Sequence, residues 1–410
     1  VLGPGLVTGA ADDDPSGIAT YSQAGAAFGY SQLWTLTLCL PLMISVQEAT
    51  ARIGAVTGKG LAAVTRDVFP RRILYAVVSL VVMANVLNIG ADIAAVGAAL
   101  NLLIPLPDEL LSTLFTIVLL SLVVFIPYHI YVRVLKLLAL SLLAYVATAL
   151  MVTEPWGVIL SSTVVPHIKW TSAYWYVIVG ILGTTISPYM FFWQASEEVE
   201  ERRLADQQGR KRRAMRDIRT DNANGMIVSQ LGSWFMMVTT ASVLHRNGIL
   251  TIGTAADAAK ALQPLVHTFP YAGTFAKAIF ALGIVGMGLL GIPVLAGSAS
   301  FAVSEVFGWR EGLESRPRDA RAFYAVITVA TLIGLLLTLA GIDPIRALIF
   351  AAVVNGVVAV PLVFLIRRIA TDRSIMGPHV SGALSRRMLM LTFIVMLFSA
   401  LVMFVSLIAG

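Results

Sequence analysis

Charge is scarce in this 410-residue chain: 13% of its residues are Asp, Glu, Lys or Arg, 58% are apolar, and the mean hydropathy is +0.83. A soluble domain carries about a quarter charged residues, so the shortage excludes one and predicts a polytopic membrane protein. No polar stretch is long enough to fold alone, which predicts a single integral domain. Cysteine occurs once, as Cys39 in an apolar run; an intrachain disulfide is excluded and the thiol reads as packing. Histidine is rare as well. His129, His167, His245, His267 and His379 all fall at the ends of apolar runs or in loops, so a zinc or copper centre is not expected. Enzyme signatures are missing too, with no Walker-type phosphate loop, nucleophile triad or HExxH pattern, and no cofactor is expected. No cleavable signal peptide is visible, and the lack of an initiator Met predicts an N-terminal tail ahead of Val1.

The charge that is present sits in an unusual place. Asp12-Asp13-Asp14-Pro15-Ser16-Gly17 interrupts a stretch in which neither Val1 to Ala11 nor Ile18 to Leu42 carries a charge. An Asp at the centre of a membrane helix costs about 2.5–3.5 kcal/mol even on insertion scales, so such residues normally face a cavity and serve a substrate. Proline removes a backbone donor and glycine weakens the turn. Acid beside breaker predicts a discontinuous helix built around a cation.

About 20 apolar residues cross a bilayer as a helix. On that basis spans are expected near 2–28, 31–51, 74–104, 110–130, 134–153, 173–196, 223–245, 270–307, 322–341, 344–366 and 387–409, the first, sixth and eighth being long or interrupted. Alternate loops hold 24 of the 29 basic residues, from Arg52 through the run Arg202 to Arg219 to Arg387; the other side holds only Lys169, Arg246, Lys260, Lys277 and Arg346. The positive-inside rule then predicts a multi-pass inner (plasma) membrane protein with a cytoplasmic N-terminus and an external C-terminus. The net charge of +6 reflects that topology and gives no support to a nucleic-acid partner. The mixed-charge stretch Glu197 to Asp221 reads as a solvated cytoplasmic connector, with a lipid-headgroup role as its alternative.

A second breaker lies mid-span in Gly183-Thr184-Thr185-Ile186-Ser187-Pro188-Tyr189. An isolated proline kink is common in membrane helices. Paired with Pro15 five spans earlier, however, Pro188 predicts two inverted five-helix repeats, 1–153 and 173–366, with discontinuous helices 1 and 6 and a midplane site. Helix 387–410 is then peripheral. Unwound carbonyls, the Asp14 carboxylate and the Ser187 hydroxyl form an oxygen-only set suited to a hard cation. Met190 reads as packing rather than as a ligand.

These residues resemble the Nramp family of divalent metal transporters. The resemblance rests on Leu2-Gly3-Pro4-Gly5, Asp14-Pro15-Ser16-Gly17-Ile18-Ala19-Thr20, Gln47, Ala51-Arg52-Ile53-Gly54 and Ile181 to Tyr189. It implies an all-α LeuT-type fold of 11 transmembrane helices with alternating access, and adds the Ala11 and Thr184 carbonyls to the site. Three departures stand out. The family's DPGN is here Asp14-Pro15-Ser16-Gly17, so Gly17 replaces a carboxamide ligand. Its Met-Pro-His is Ser187-Pro188-Tyr189, which removes the thioether and the histidine associated with proton movement. In span three Asp92 remains, but Ala95 replaces a carboxylate.

The losses point to a wider, hydrated site, and Mg2+ is usually held through one or two carboxylates with water retained. Asp12 and Asp13, unusual for the family, would hold that water or concentrate cations. The resemblance is closest to the Nramp-related magnesium transporters, which implies transport of hydrated Mg2+, with Mn2+ as a further substrate and weak or no proton coupling. The alternatives are a proton-coupled Mn2+/Fe2+ importer and a diverged member that transports no metal. Several residues keep two readings: Asp92 as functional or paired with an Arg, Gln194 and Asn355 as cavity-lining or bonding between helices, and Tyr189 as a gate or as packing. Gly283, Gly286, Gly288 and Gly291 read as close helix packing.

Overall fold

The computed structural model describes residues 4–126, 143–152, 155–209, 214–266, 271–313 and 315–409. Among them regular structure is helical throughout. The helices, in chain order, are α1 (Pro4–Asp12), α2 (Pro15–Phe28), α3 (Leu33–Thr57), α4 (Leu61–Val68), α5 (Arg71–Asn101), α6 (Asp108–Phe125), α7 (Leu143–Met151), α8 (Trp156–Val164) and α9 (Ser172–Thr185). They continue with α10 (Pro188–Gln207), α11 (Met215–Val243), α12 (Ala255–Ala259), α13 (Ala272–Phe307), α14 (Arg321–Leu339), α15 (Pro344–Ala370), α16 (Arg373–Met376) and α17 (Ala383–Ala409). Nine helical stretches among the described residues are long and apolar enough to cross a membrane. One of them, Pro15–Thr57, runs through a 3-10 turn at Gly29–Gln32 and covers parts of two expected spans.

Both expected breaks are present and short. Asp13 and Asp14 separate α1 from α2; Ile186 and Ser187 separate α9 from α10. Each second half begins on a proline at the first helical position, where the missing N–H would have no helical partner anyway. The long helix α13 is continuous despite Pro293, so the eighth span is long without being interrupted. The fifth expected span is described only from residue 143 onward. Leu2, Gly3, His129, Arg133, Lys136, His267 and the four basic residues at 210–213 lie outside the described residues.

Two expectations change. The helix after the second break runs on to Gln207, so the segment from Glu197 is no simple connector: Glu198 and Glu200 are buried. A short extra helix, α4, follows α3, and its N-terminus is held by a carboxylate. Glu305 accepts from the Ala63 N–H at 2.9 Å and the Ser196 hydroxyl at 2.8 Å, which ties α4 and α10 to the end of α13. Nearby, burial beside Glu305 and against the pull of Arg203 pushes the Glu311 carboxyl up to about 9.

The broken span α9–α10 occupies the centre, buried on nearly all sides, while α6 and α17 are the most exposed. Glycine sets how closely the first half-helices lie on their neighbours. A Cβ at Gly9 would fall 2.3 Å from the Gly225 carbonyl oxygen of α11, and one at Gly183 would fall 1.9 Å from that of Ala352 on α15. Asp221 of α11 accepts the Gly5 N–H at 2.8 Å, fastening the start of α1. Arg52 joins α3 to the segment before α17, with Glu48 at 3.0 Å, the His379 carbonyl at 2.7 Å and Ser381 Oγ at 2.8 Å. Cys39 is fully buried in α3.

Candidate metal site at the paired helix breaks

Asp14 occupies the N-cap of α2, with extended backbone, and its Oδ1 accepts from the Gly17 N–H at 2.9 Å and the Ser16 hydroxyl at 2.6 Å. This is the local reason for an aspartate ahead of Pro-Ser-Gly: a carboxylate at a helix N-terminus satisfies orphan donors and meets the positive end of the dipole. Its other oxygen, Oδ2, faces the second break, where the Tyr189 hydroxyl lies 3.2 Å away; the same hydroxyl is 3.3 Å from the Ala11 carbonyl. Asp14, Ala11 and Tyr189 therefore meet across the two breaks. Asp14 and Tyr189 are buried, as is Ala11.

Ser187 and Thr184 are placed differently from a simple ligand pair. The Ser187 hydroxyl turns back on the preceding helix α9 and donates toward the carbonyls of Thr184 at 2.7 Å and Gly183 at 2.8 Å. It thus engages the Thr184 carbonyl that the resemblance assigned to the metal. The Thr184 hydroxyl is buried and has no hydrogen-bond partner among the described residues. It faces Gly17, where a Cβ would lie 3.2 Å from it. The missing carboxamide at position 17 leaves that hydroxyl open to the break.

Asp12 and Asp13 do not join Asp14 at the second break. Ser229 Oγ donates to Asp12 Oδ2 at 2.6 Å and Ser233 Oγ to Asp13 Oδ1 at 2.9 Å, so both acids lean on α11. Asp92 of α5 is fully buried; among the described residues neither carboxylate oxygen meets a well-aligned hydrogen-bond donor, although the Ser16 backbone N–H bears on it. Among the described residues its charged neighbour is Asp14, and no Lys or Arg bears on it. Among the described residues no three His, Cys, Asp or Glu converge as a ready-made metal cluster. What converges is one carboxylate, backbone oxygens and hydroxyls.

Gln194 and Asn355 bond between and along helices. Gln194 accepts from the Thr8 hydroxyl at 2.5 Å and donates to Glu198 at 3.2 Å, linking α1 to α10 below the break. Asn355 of α15 exchanges amide hydrogen bonds with Asn88 of α5 at 2.9 and 3.3 Å. Sequence reasoning read Gly291 as close helix packing, without saying against what. A Cβ there would lie 3.0 Å from Asp14 Cβ and 3.9 Å from Asp92 Oδ2, so its bare backbone forms the wall between the two acids. Nothing in the chain distinguishes it from Gly288, whose Cβ would meet Val96.

Comparison with known proteins gives one consistent answer. Residues 5–406 match the family described as "Natural resistance-associated macrophage protein-like" (Nramp). The divalent metal cation transporter MntH of Pectobacterium carotovorum is 27% identical over 93% of this chain and 88% of its own. That of Acidiphilium cryptum is 28% identical over 92% and 83%. Among solved structures, the Eremococcus coleocola manganese transporter is similar with a TM-score of 0.72 at 16% identity, over 98% of this chain and 85% of that one. MhsT in complex with L-phenylalanine matches with a TM-score of 0.63 at 11% identity, covering 98% of each chain. A helical core broken at two paired prolines, a family match along nearly the whole chain and this structural likeness identify the chain as a member of the Nramp family of membrane transporters, with the LeuT-type fold.

Proposed function

We propose that this protein is a secondary transporter that carries divalent metal cations by alternating access, with Asp14 as the charged ligand and the Ala11 and Thr184 carbonyls beside it. The observation that carries this reading is the buried Asp14 carboxylate, fixed at one helix break and facing the second, where the Tyr189 hydroxyl lies 3.2 Å away. Hydrated Mg2+ is the favoured substrate, with Mn2+ also carried and proton coupling weak or absent. Gly17 and Ser187 supply neither a carboxamide nor a thioether, and Mg2+ needs few protein ligands because it keeps its water. The two repeats, 1–153 and 173–366, would rock about this point, with 387–410 outside them and the N-terminus cytoplasmic. Asp92, across Gly291 from Asp14, would hold a water of the ion's shell rather than the ion; Asp12 and Asp13 would set the field along α11.

A second reading, Mn2+ import, is favoured by what the relatives are called: divalent metal cation and manganese transporters. Proteoliposomes loaded with a Mg2+ indicator and, separately, a Mn2+-quenched dye distinguish the two. Uptake of Mg2+ without internal acidification is the expected result. Mn2+ uptake with acidification and no Mg2+ uptake would establish the second reading instead.

A further inference from the structure

Tyr189 is the second residue of α10, fully buried, and it is held from behind by Ser298, whose hydroxyl donates to the Tyr189 carbonyl at 2.7 Å. In front, its phenol oxygen lies 3.2 Å from Asp14 Oδ2 and 3.3 Å from the Ala11 carbonyl. A phenol has one proton to donate. Here that proton faces two acceptors on opposite sides of the first break, the same two oxygens that a bound cation would draw together. Resting on the divalent-cation reading of this site, we propose that the Tyr189 hydroxyl is a built-in occupant of the ion position. It competes with the cation for Asp14 and Ala11 and so sets affinity and release.

The physical case is one of exchange. A buried carboxylate left without a donor is costly, and among the described residues no Lys or Arg bears on Asp14. The phenol supplies a donor to the face of Asp14 that looks across the gap, while Ser16 and Gly17 serve the other oxygen. An arriving hydrated ion trades that donor for its own charge or for a shell water. When the ion leaves, the phenol returns, so the carboxylate passes from one partner to another without standing bare. Such a device gives weak binding and fast release, which suits a transporter of an abundant ion. A histidine at this place would not present a hydroxyl to both oxygens at once.

The test is calorimetric titration of the purified full chain with MgCl2 and MnCl2, followed by uptake in proteoliposomes. Tyr189→Phe removes the competing donor and keeps the ring. It is expected to lower the Kd by roughly tenfold, the size of one charge-assisted hydrogen bond, and to lower the uptake KM and the maximal rate together. A ring that only packs would change thermal stability while Kd stayed fixed; an unchanged or raised Kd, with wild type binding normally, overturns the proposal and leaves the transporter reading intact. Failure of wild type itself to bind either ion overturns the divalent-cation reading and this proposal with it. Should Tyr189→Phe not fold, Ser298→Ala releases the Tyr189 backbone carbonyl that holds the residue in place and is expected to tighten binding by a smaller factor; no tightening there overturns the proposal.

Discussion

At the first break a carboxylate caps the following helix, and three acids lie within three residues; at the second, the N-cap Ser187 makes no capping hydrogen bond and no charge is present. The two breaks share proline placement and differ in chemistry. In one, side chains satisfy the freed backbone donors and an excess of negative charge remains. In the other, the hydroxyl folds back on the preceding half-helix, and a phenol is the group that reaches across. On the proposed reading, one charged member is enough: the first break attracts the ion, and the second adjusts how firmly it is held.

The largest effect is expected from Asp14. Asp14→Ala should abolish calorimetric binding of Mg2+ and Mn2+ and reduce uptake by about 100-fold or more, because a buried cation would lose its charged partner. Asp14→Asn sharpens the contrast, since asparagine is an equally good N-cap: the helix should keep its thermal stability while binding is lost. Equal loss of stability in both variants would show that Asp14 serves the fold more than the ion.

Packing next to the breaks offers the second test. Gly183→Ala would press a methyl into the Ala352 carbonyl and Gly356 N–H of α15, at an expected cost of about 1–3 kcal/mol in thermal or denaturant unfolding. Gly157→Ala, with nothing within 4 Å, is the matched control and should be neutral. The third test gives the second break what it lacks. Ser187→Met should raise selectivity for Mn2+ and Cd2+ over Mg2+ by roughly tenfold in competition titrations; unchanged selectivity would mean that position 187 does not face the ion.

The smallest effect lies away from both breaks. Glu311 keeps its proton in the folded chain up to about pH 9, against 4.5 ordinarily, with Glu305 and Glu200 opposing its charge and Arg203 and Arg66 favouring it. Folding therefore takes up a proton across that window, and stability falls as pH rises through it. Glu311→Gln should flatten this slope and gain ~1 kcal/mol at pH 8 after allowance for solvent screening. Melting curves from pH 5 to pH 9 check it.

Much of the helical frame was legible because bilayer length and hydropathy leave few options, and because Pro15 and Pro188 each fix a break within a residue or two. Asp14 was legible for a local reason: a cap acts on donors two and three residues away. Directions across space were not. Whether Asp12 leans on Ser229 or on the ion depends on packing against a helix 217 residues later, and no local pattern encodes it. The Ser187 hydroxyl had equally good partners in front and behind, and the chain chose those behind. Gly291 was legible as a packing glycine, but not as the one that packs against Asp14 and Asp92. The short helix α4 escaped notice because its cap comes from Glu305, far along the chain.

The lone thiol has a practical consequence. Cys39 is sealed inside α3, out of reach of aqueous labelling reagents. A cysteine introduced at Thr8, Gln194 or Glu198 would then be the one thiol such a reagent meets, with no need to remove the native one first. The rate at which each is modified, with and without metal, would report how often these buried positions become accessible. The chain carries a dark field against which its own movement can be seen.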